Sequence, residues 1–192
     1  MENEFDLVVV GAGISGIGAG AHFNLKCPDQ TYVILEGRES FGGTWDLFKY
    51  PGIRSDSDMH TLGYSFKPWV HKKSIANAPA IMEYLEETID EYELHPHIRY
   101  NHHVETANWS PKEGKWIVSV TDKVNNKEII FKGKLLYMCS GYYKYAHGYE
   151  PKFEGSENFE GQIVHPQKWS DDVEYENKEV VVIGSGATAA TL

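Results

Sequence analysis

The sequence predicts an α/β fold: a doubly wound, mainly parallel sheet carrying an inserted antiparallel β-meander, followed by the start of a second unit of the same design. Three observations carry this. First, a Val-rich run from Asp6 to Val10 meets the turn "GAGISG" and a small-residue stretch, and a second apolar run, "TYVILE", follows. Strand, helix and strand within roughly thirty residues is the spacing of a right-handed βαβ unit. Second, "IRYNHHVETANW", "KWIVSVTD", "EIIFKG" and "KLLYMCSG" read as successive strands, with "PKEG" and "VNNK" as turns between them. Third, "VVVGAGISG" recurs near the end of the chain as "VVIGSGATA", so one design appears twice.

The elements follow from local chemistry. Asp6 to Val10 is short and continuously apolar, as suits a central parallel strand buried on both faces. "GAGISGIGAGAHFNL" starts a helix whose small residues allow close packing, and Thr31 to Glu36 returns as the second strand. From Phe41 to Val70 neither a period of 2 nor one of 3.6 is visible, and the stretch is rich in Gly, Pro and aromatics. Loops of that length in a compact domain are functional or disordered, and the aromatics disfavour disorder. "PAIMEYLEETIDEYEL" predicts a helix with Ile81, Leu85, Ile89 and Tyr92 on one stripe. Tyr142 to Asn177 lacks periodicity and reads as a linker, and Glu179 to Ile183 predicts the first strand of the second unit. The expected organisation is therefore 1–141, 142–177 and 178–192.

Composition excludes several classes. Hydrophobic residues make up 41% of the 192, charged residues 24% and aromatic residues 13%, which is the balance of a globular chain. A net charge of -10 argues against a nucleic-acid surface, which needs clustered Lys and Arg. No run of about 18 apolar residues could cross a bilayer, and "MENEFD" is acidic where a secretory signal would be basic, so a cytoplasmic location is expected. Cys27 and Cys139 form no CxxC pair and are expected to be buried small apolar residues.

Gly11, Gly13 and Gly16 fit G-x-G-x-x-G directly after a strand and at a helix start, the context this pattern requires. Such glycines allow a tight turn, close approach of a pyrophosphate and close helix packing, in a Rossmann-like arrangement. The helix N-terminus then favours the anion. Glu36 ends the second strand about 20 residues on, where a carboxylate can accept hydrogen bonds from a ribose and would repel a 2′-phosphate. The first site therefore suits FAD or NAD. The competing reading makes the glycines packing devices and Glu36 a solvated strand end. The segment after Glu36 has no Cys pair, so thiol exchange is not expected; Thr44, Trp45, Arg54 and Asp56 could instead line a flavin, or be a core Trp and a surface ion pair.

Phe159, Gly161, His165 and Trp169 match F-x-G-x-x-x-H-x-x-x-W within "FEGQIVHPQKW", flanked by both glycine motifs in order. On these residues the chain resembles the type I Baeyer-Villiger monooxygenases, within the class B flavoprotein monooxygenases. Ser170 stands where the family usually has Pro or Asp. "ILEGRESFGGTWDLFKYPGIRSDSDM" and "CSGYY" further resemble bacterial members.

The resemblance implies FAD, NADPH and molecular oxygen acting together on a small ketone, with insertion of one oxygen atom to give an ester or lactone, or on a sulfur compound. It implies that Gly11, Gly13, Ser15, Gly16 and Glu36 hold the ADP half of FAD. Thr44, Trp45, Asp46, Leu47 and Asp56 would approach the flavin half, and the backbone near Val104 the adenine. Arg54, Ser55 and Asp56 would face the nicotinamide, with Asp56 positioning an arginine of later chain, and His165 would couple domain orientation to catalysis. Gly184, Ser185, Gly186, Ala187, Thr188 and Ala189 would meet the NADPH pyrophosphate. It also implies that the chain is the N-terminal part of a longer enzyme, inactive alone. Two alternatives stay open: a non-catalytic nucleotide-binding module, or an N- or S-oxygenating flavin monooxygenase without Baeyer-Villiger activity.

Three further features carry no expected chemistry. His95, His97, His102 and His103 span a turn and a strand start with no nearby Cys, so no metal site is expected. Ser15 lacks the G-x-S-x-G elbow of a hydrolase. The run "EYLEETIDEYE" reads as the solvated face of its helix.

Overall fold

The computed structural model describes residues 3–192. The chain divides into two compact units, one of residues 1–46 and 81–141 and the other of residues 47–80 and 142–192. In the first unit the elements run β1 (Glu4–Val10), α1 (Ile14–Lys26), β2 (Tyr32–Leu35), most of α4 (Ala78–Glu91), β3 (Ile98–Arg99), β4 (His102–Ser110), β5 (Lys115–Asp122) and β6 (Lys127–Met138). They form one six-stranded sheet in the order β3-β2-β1-β6-β5-β4. The half from β3 to β6 is parallel and β6-β5-β4 is antiparallel, so the predicted meander is fused to the βαβ unit in a single sheet.

Alternation along the strands explains the two faces. Val33 and Leu35 of β2 join Val8, Val118, Val120 and Phe131 in a buried cluster on one side. Ile34 faces the other way, beneath α1, where a side chain at Gly20 would come 3.0 Å from its Cδ1. The α4 stripe holds as predicted for Ile81, Leu85 and Ile89, each 0% exposed, while Tyr92 is half-buried. The acidic residues Glu83, Glu86 and Glu87 lie off that stripe.

Three strand boundaries differ from the sequence expectation. "EIIFKG" and "KLLYMCSG" are one strand, because β6 pairs antiparallel with β5 up to Gly133 and parallel with β1 from Lys132 onward. Gly133 sits at that exchange of partners, and a Cβ there would lie 2.8 Å from Val8 Cγ2. "IRYNHHVETANW" is broken at Asn101, whose φ of 59° ends β3 before β4 begins. Most consequentially, residues 179–183 form no strand: Val181 is 84% and Ile183 72% exposed. A strand needs a ladder partner, and among the described residues none pairs with this run.

The second unit contains two short helices in the aperiodic region, α2 (Thr44–Leu47, shared with the first unit) and α3 (Met59–Leu62), and α5 (Ala187–Thr191) at the second glycine motif. Asp58 caps α3 by accepting the Thr61 N–H at 2.9 Å, which together with the backbone hydrogen bonds Ser55 N–H to Ala76 O (2.8 Å) and Met59 N–H to Ser74 O (2.7 Å) orders a stretch that lacks periodicity. Met59 and Trp69 are its buried apolar residues. Cys27 and Cys139 are half-buried, not buried, because each lies at the end of an element where cover is partial. Among the described residues no helix is long and apolar enough to cross a membrane.

Candidate functional site

The first glycine motif makes the turn between β1 and α1. Gly11 has φ of +104°, and a Cβ there would lie 2.5 Å from the Cys139 carbonyl oxygen at the end of β6. A Cβ on Gly16 would fall 1.8 Å from Gly11 O, so the helix can start this close to the strand only with glycine. Gly13 is the N-cap of α1 and Ser15 is exposed in its first turn. The N-cap glycine offers no side-chain cap and the first turn holds no acid. An uncapped 13-residue helix with a glycine entrance is a ready anion site.

Glu36 is 7% exposed. Its Oε2 accepts the Ala12 N–H at 2.8 Å and its Oε1 accepts the Arg38 N–H at 2.9 Å, so it is no solvated strand end. The carboxylate is bound to the glycine turn itself, and each oxygen keeps a lone pair that can accept a ligand hydroxyl. The Glu36 main chain bonds Arg99 O (2.9 Å) and the His102 N–H (2.8 Å), which brings the start of β4 alongside. Val104 lies on that strand at a β-bulge, half-buried against the core cluster. Burial and the Glu36 charge raise the Tyr100 phenol above its ordinary value, and burial pushes the Cys139 thiol up to about 11.

Thr44, Trp45 and Asp46 follow two glycines, Gly42 (φ +102°) and Gly43 (φ +55°). Gly42 donates its N–H to Ala12 O at 2.9 Å, tying this turn to the first glycine turn, and a Cβ on Gly13 would sit 3.7 Å from Gly43 Cα. Trp45 is half-buried, not core. Asp46 is held by Arg38 at 2.7 Å and by the Ser40 hydroxyl. Neither Arg38 nor Tyr100 belongs to a sequence motif; the one signal for Arg38 is its place two residues after Glu36.

The remaining candidates belong to the second unit. Ser55 is 2% exposed and its hydroxyl accepts the Ala76 N–H at 3.3 Å, while Arg54 and Asp56 beside it are exposed. Leu47 is half-buried. His165 heads a 3-10 turn at Pro166–Lys168, its Nδ1 accepting the Gln167 N–H at 3.2 Å. Its ring occupies the space a side chain at Gly148 would need, with Cε1 2.2 Å from the ideal Cβ position. Gln167 Nε2 donates to Lys144 O and Tyr145 O, so the fingerprint segment folds onto residues 144–148. Trp169 meets Tyr175 edge to face at 5.5 Å, and Phe159 covers Gly161. Gly184, Ser185 and Gly186 lead into α5, with Ala187, Thr188 and Ala189 in it. A Cβ on Gly184 would be 3.1 Å from Ala189 Cβ, so this turn also packs closely against its helix.

The four histidines disperse. His95 pairs with Asp90, His97 stacks on Tyr32, His102 faces Tyr100 O, and His103 fills the space at Gly37. Among the described residues no group of three or more His, Cys, Asp or Glu is arranged to hold a metal ion.

Comparison with known proteins agrees with this fold. Residues 9–72 match the NAD(P)-binding Rossmann-like domain, and residues 57–192 match the flavin-binding monooxygenase-like family. The FAD-containing monooxygenase EthA of Mycolicibacterium smegmatis is 54% identical over the whole chain, and that of Mycobacterium tuberculosis 50%. The probable FAD-binding monooxygenase AlmA of an Acinetobacter species is 49% identical. The chain spans 39% of the length of the two EthA relatives and 38% of AlmA. An oxidized steroid monooxygenase bound to NADP superposes with a TM-score of 0.80 at 31% identity, over 98% of this chain and 36% of that one. An open crystal structure of cyclohexanone monooxygenase gives 0.82 at 27%, with the same coverage. Both of these solved neighbours are monooxygenases. The chain belongs to the flavin-binding monooxygenase-like family.

Proposed function

We propose that this chain is the FAD-holding portion, with the first turn of the NADPH-holding portion, of a monooxygenase that inserts one oxygen atom of O2 into small ketones and also oxidises sulfur compounds. The observation that carries the reading is the pairing of the uncapped, acid-free N-terminus of α1 with a buried carboxylate, Glu36, bonded into the same turn. A pyrophosphate fits the first and ribose hydroxyls the second. Gly11, Gly13, Ser15, Gly16 and Glu36 would hold the ADP half of FAD, with the Val104 backbone at the adenine and Thr44–Leu47 toward the flavin. Glu36 disfavours a 2′-phosphate there, which leaves NADPH to the second motif, Gly184–Ala189. Arg54, Ser55 and Asp56 are assigned to the nicotinamide side, Asp56 as the group that orients an arginine of later chain, and His165 as the coupling residue of a linker over 142–177. When bound, the flavin supplies hydride acceptance and oxygen activation; the chain supplies binding, orientation and exclusion of water.

The test is made on the full-length protein. It should purify yellow with one FAD and consume NADPH and O2 while converting a cyclic ketone to a lactone. Failure to bind FAD, or NADPH oxidation that requires a disulfide, overturns the reading. Thioether or amine oxidation without any lactone would assign an S- or N-oxygenating enzyme instead. Residues 1–192 alone should turn over nothing and hold FAD weakly.

A further inference from the structure

We infer that Arg38 is a positioning residue for the flavin-side turn, a clasp that holds residues 43–46 against the end of β2. Its main-chain N–H donates to Glu36 Oε1 at 2.9 Å while its guanidinium reaches the other way, donating to Asp46 Oδ2 at 2.7 Å and to Gly43 O at 3.4 Å. The Ser40 hydroxyl donates to the same Asp46 oxygen. Arg38 and Asp46 are 27% and 19% exposed, partly withdrawn from solvent screening.

The turn needs such a clasp. The α2 segment has four residues and buries none of them. One helical turn does not outweigh its own ordering cost, so what fixes it must come from outside. Two arms supply that. One runs through Ala12, which donates to Glu36 and accepts from Gly42; the other runs through Arg38. Both start at Glu36, so the groups assigned to ribose and to flavin share one hydrogen-bonded frame. Within it the Asp46 carboxylate serves the turn, and the turn presents Thr44 and Trp45.

This rests on the FAD reading above, and the experiment separates the two. Arg38→Gln, Arg38→Lys, Asp46→Asn and the Arg38→Gln/Asp46→Asn double variant are made in the full-length protein. FAD dissociation constants and the visible spectrum of bound flavin are measured, together with amide hydrogen exchange of residues 43–47 in the apo form. Loss of a charge-assisted pair should weaken FAD about tenfold in each single variant, with the double variant no worse than either, and Arg38→Lys should recover part of it. Apo exchange should quicken at residues 43–47 while β1 and β6 stay protected, and the flavin spectrum should shift. Unchanged exchange, or losses that multiply in the double variant, would overturn the clasp. Wild-type protein that binds no FAD would overturn the cofactor reading and with it the flavin role of Arg38, while the apo exchange still decides whether the clasp exists.

Discussion

Replacing Glu36 by Gln isolates the carboxylate from everything else about the site. Glutamine keeps the shape, so no cavity opens, but it can present only one oxygen. In the folded protein both oxygens of Glu36 accept backbone N–H groups, from Ala12 at 2.8 Å and from Arg38 at 2.9 Å, at a site 7% exposed. Whichever way the amide turns, its NH2 group faces one of those donors, and a buried N–H is left without an acceptor. A hydrogen bond to a charged group contributes roughly 1.5–3 kcal/mol, so a loss of about 2 kcal/mol is expected before any ligand is considered. At about 2–4 °C per kcal/mol for a chain of this size, that is a drop of about 4–8 °C in Tm. The assay is thermal unfolding of the cofactor-free protein followed by circular dichroism, wild type against Glu36→Gln. A Tm within about 1 °C of wild type would refute the claim that Glu36 belongs to the glycine turn.

Other expectations follow from the same geometry. Gly16→Ala places a Cβ 1.8 Å from Gly11 O, backbone against side chain with nothing free to yield, whereas Gly13→Ala makes only an ordinary contact 3.7 Å from Gly43 Cα. Urea unfolding should therefore show a loss of at least about 1–3 kcal/mol for Gly16→Ala and little change for Gly13→Ala; equal losses would contradict the assignment. Asp6 accepts from Lys134 (2.6 Å) and from the Thr31 N–H and hydroxyl, which lower its pKa to about 2. Its folded value lies below its unfolded one, so its contribution is complete above about pH 4 and vanishes as pH falls toward 2. The stability gap between wild type and Asp6→Asn should close over that window in acid titrations, and a gap independent of pH would refute it. Val181→Asp in the 192-residue chain should change stability by no more than about 0.5 kcal/mol, because the side chain is exposed; a cost above about 2 kcal/mol would mean that the run is a buried strand.

β1 and residues 179–183 carry nearly the same apolar run before nearly the same glycine turn, and only β1 is a strand. The difference is not propensity. β1 has β2 and β6 on either side, and those ladders satisfy its backbone while covering Val8 and Val9 completely. The second run has no neighbour among the described residues, so its valines stay exposed. The turn-to-helix step survives in both copies because it needs only glycine freedom and a short i to i−4 ladder: Ile17 N–H reaches Gly13 O at 3.0 Å, and Ala190 N–H reaches Gly186 O at 3.1 Å. Local chemistry is legible in sequence; pairing is not, because a strand's ladder depends on a partner set by the fold. The same rule divides the candidate site. Glu36 could be found because its spacing from the glycines is set by one βαβ unit. Arg38 could not, because its partner Asp46 is reached through an aperiodic turn whose path depends on Gly42, Gly43 and the Ala12 carbonyl. The frame around Glu36 is thus encoded in two ways, by a spacing that can be read directly and by a polar network that appears only once the turn is folded.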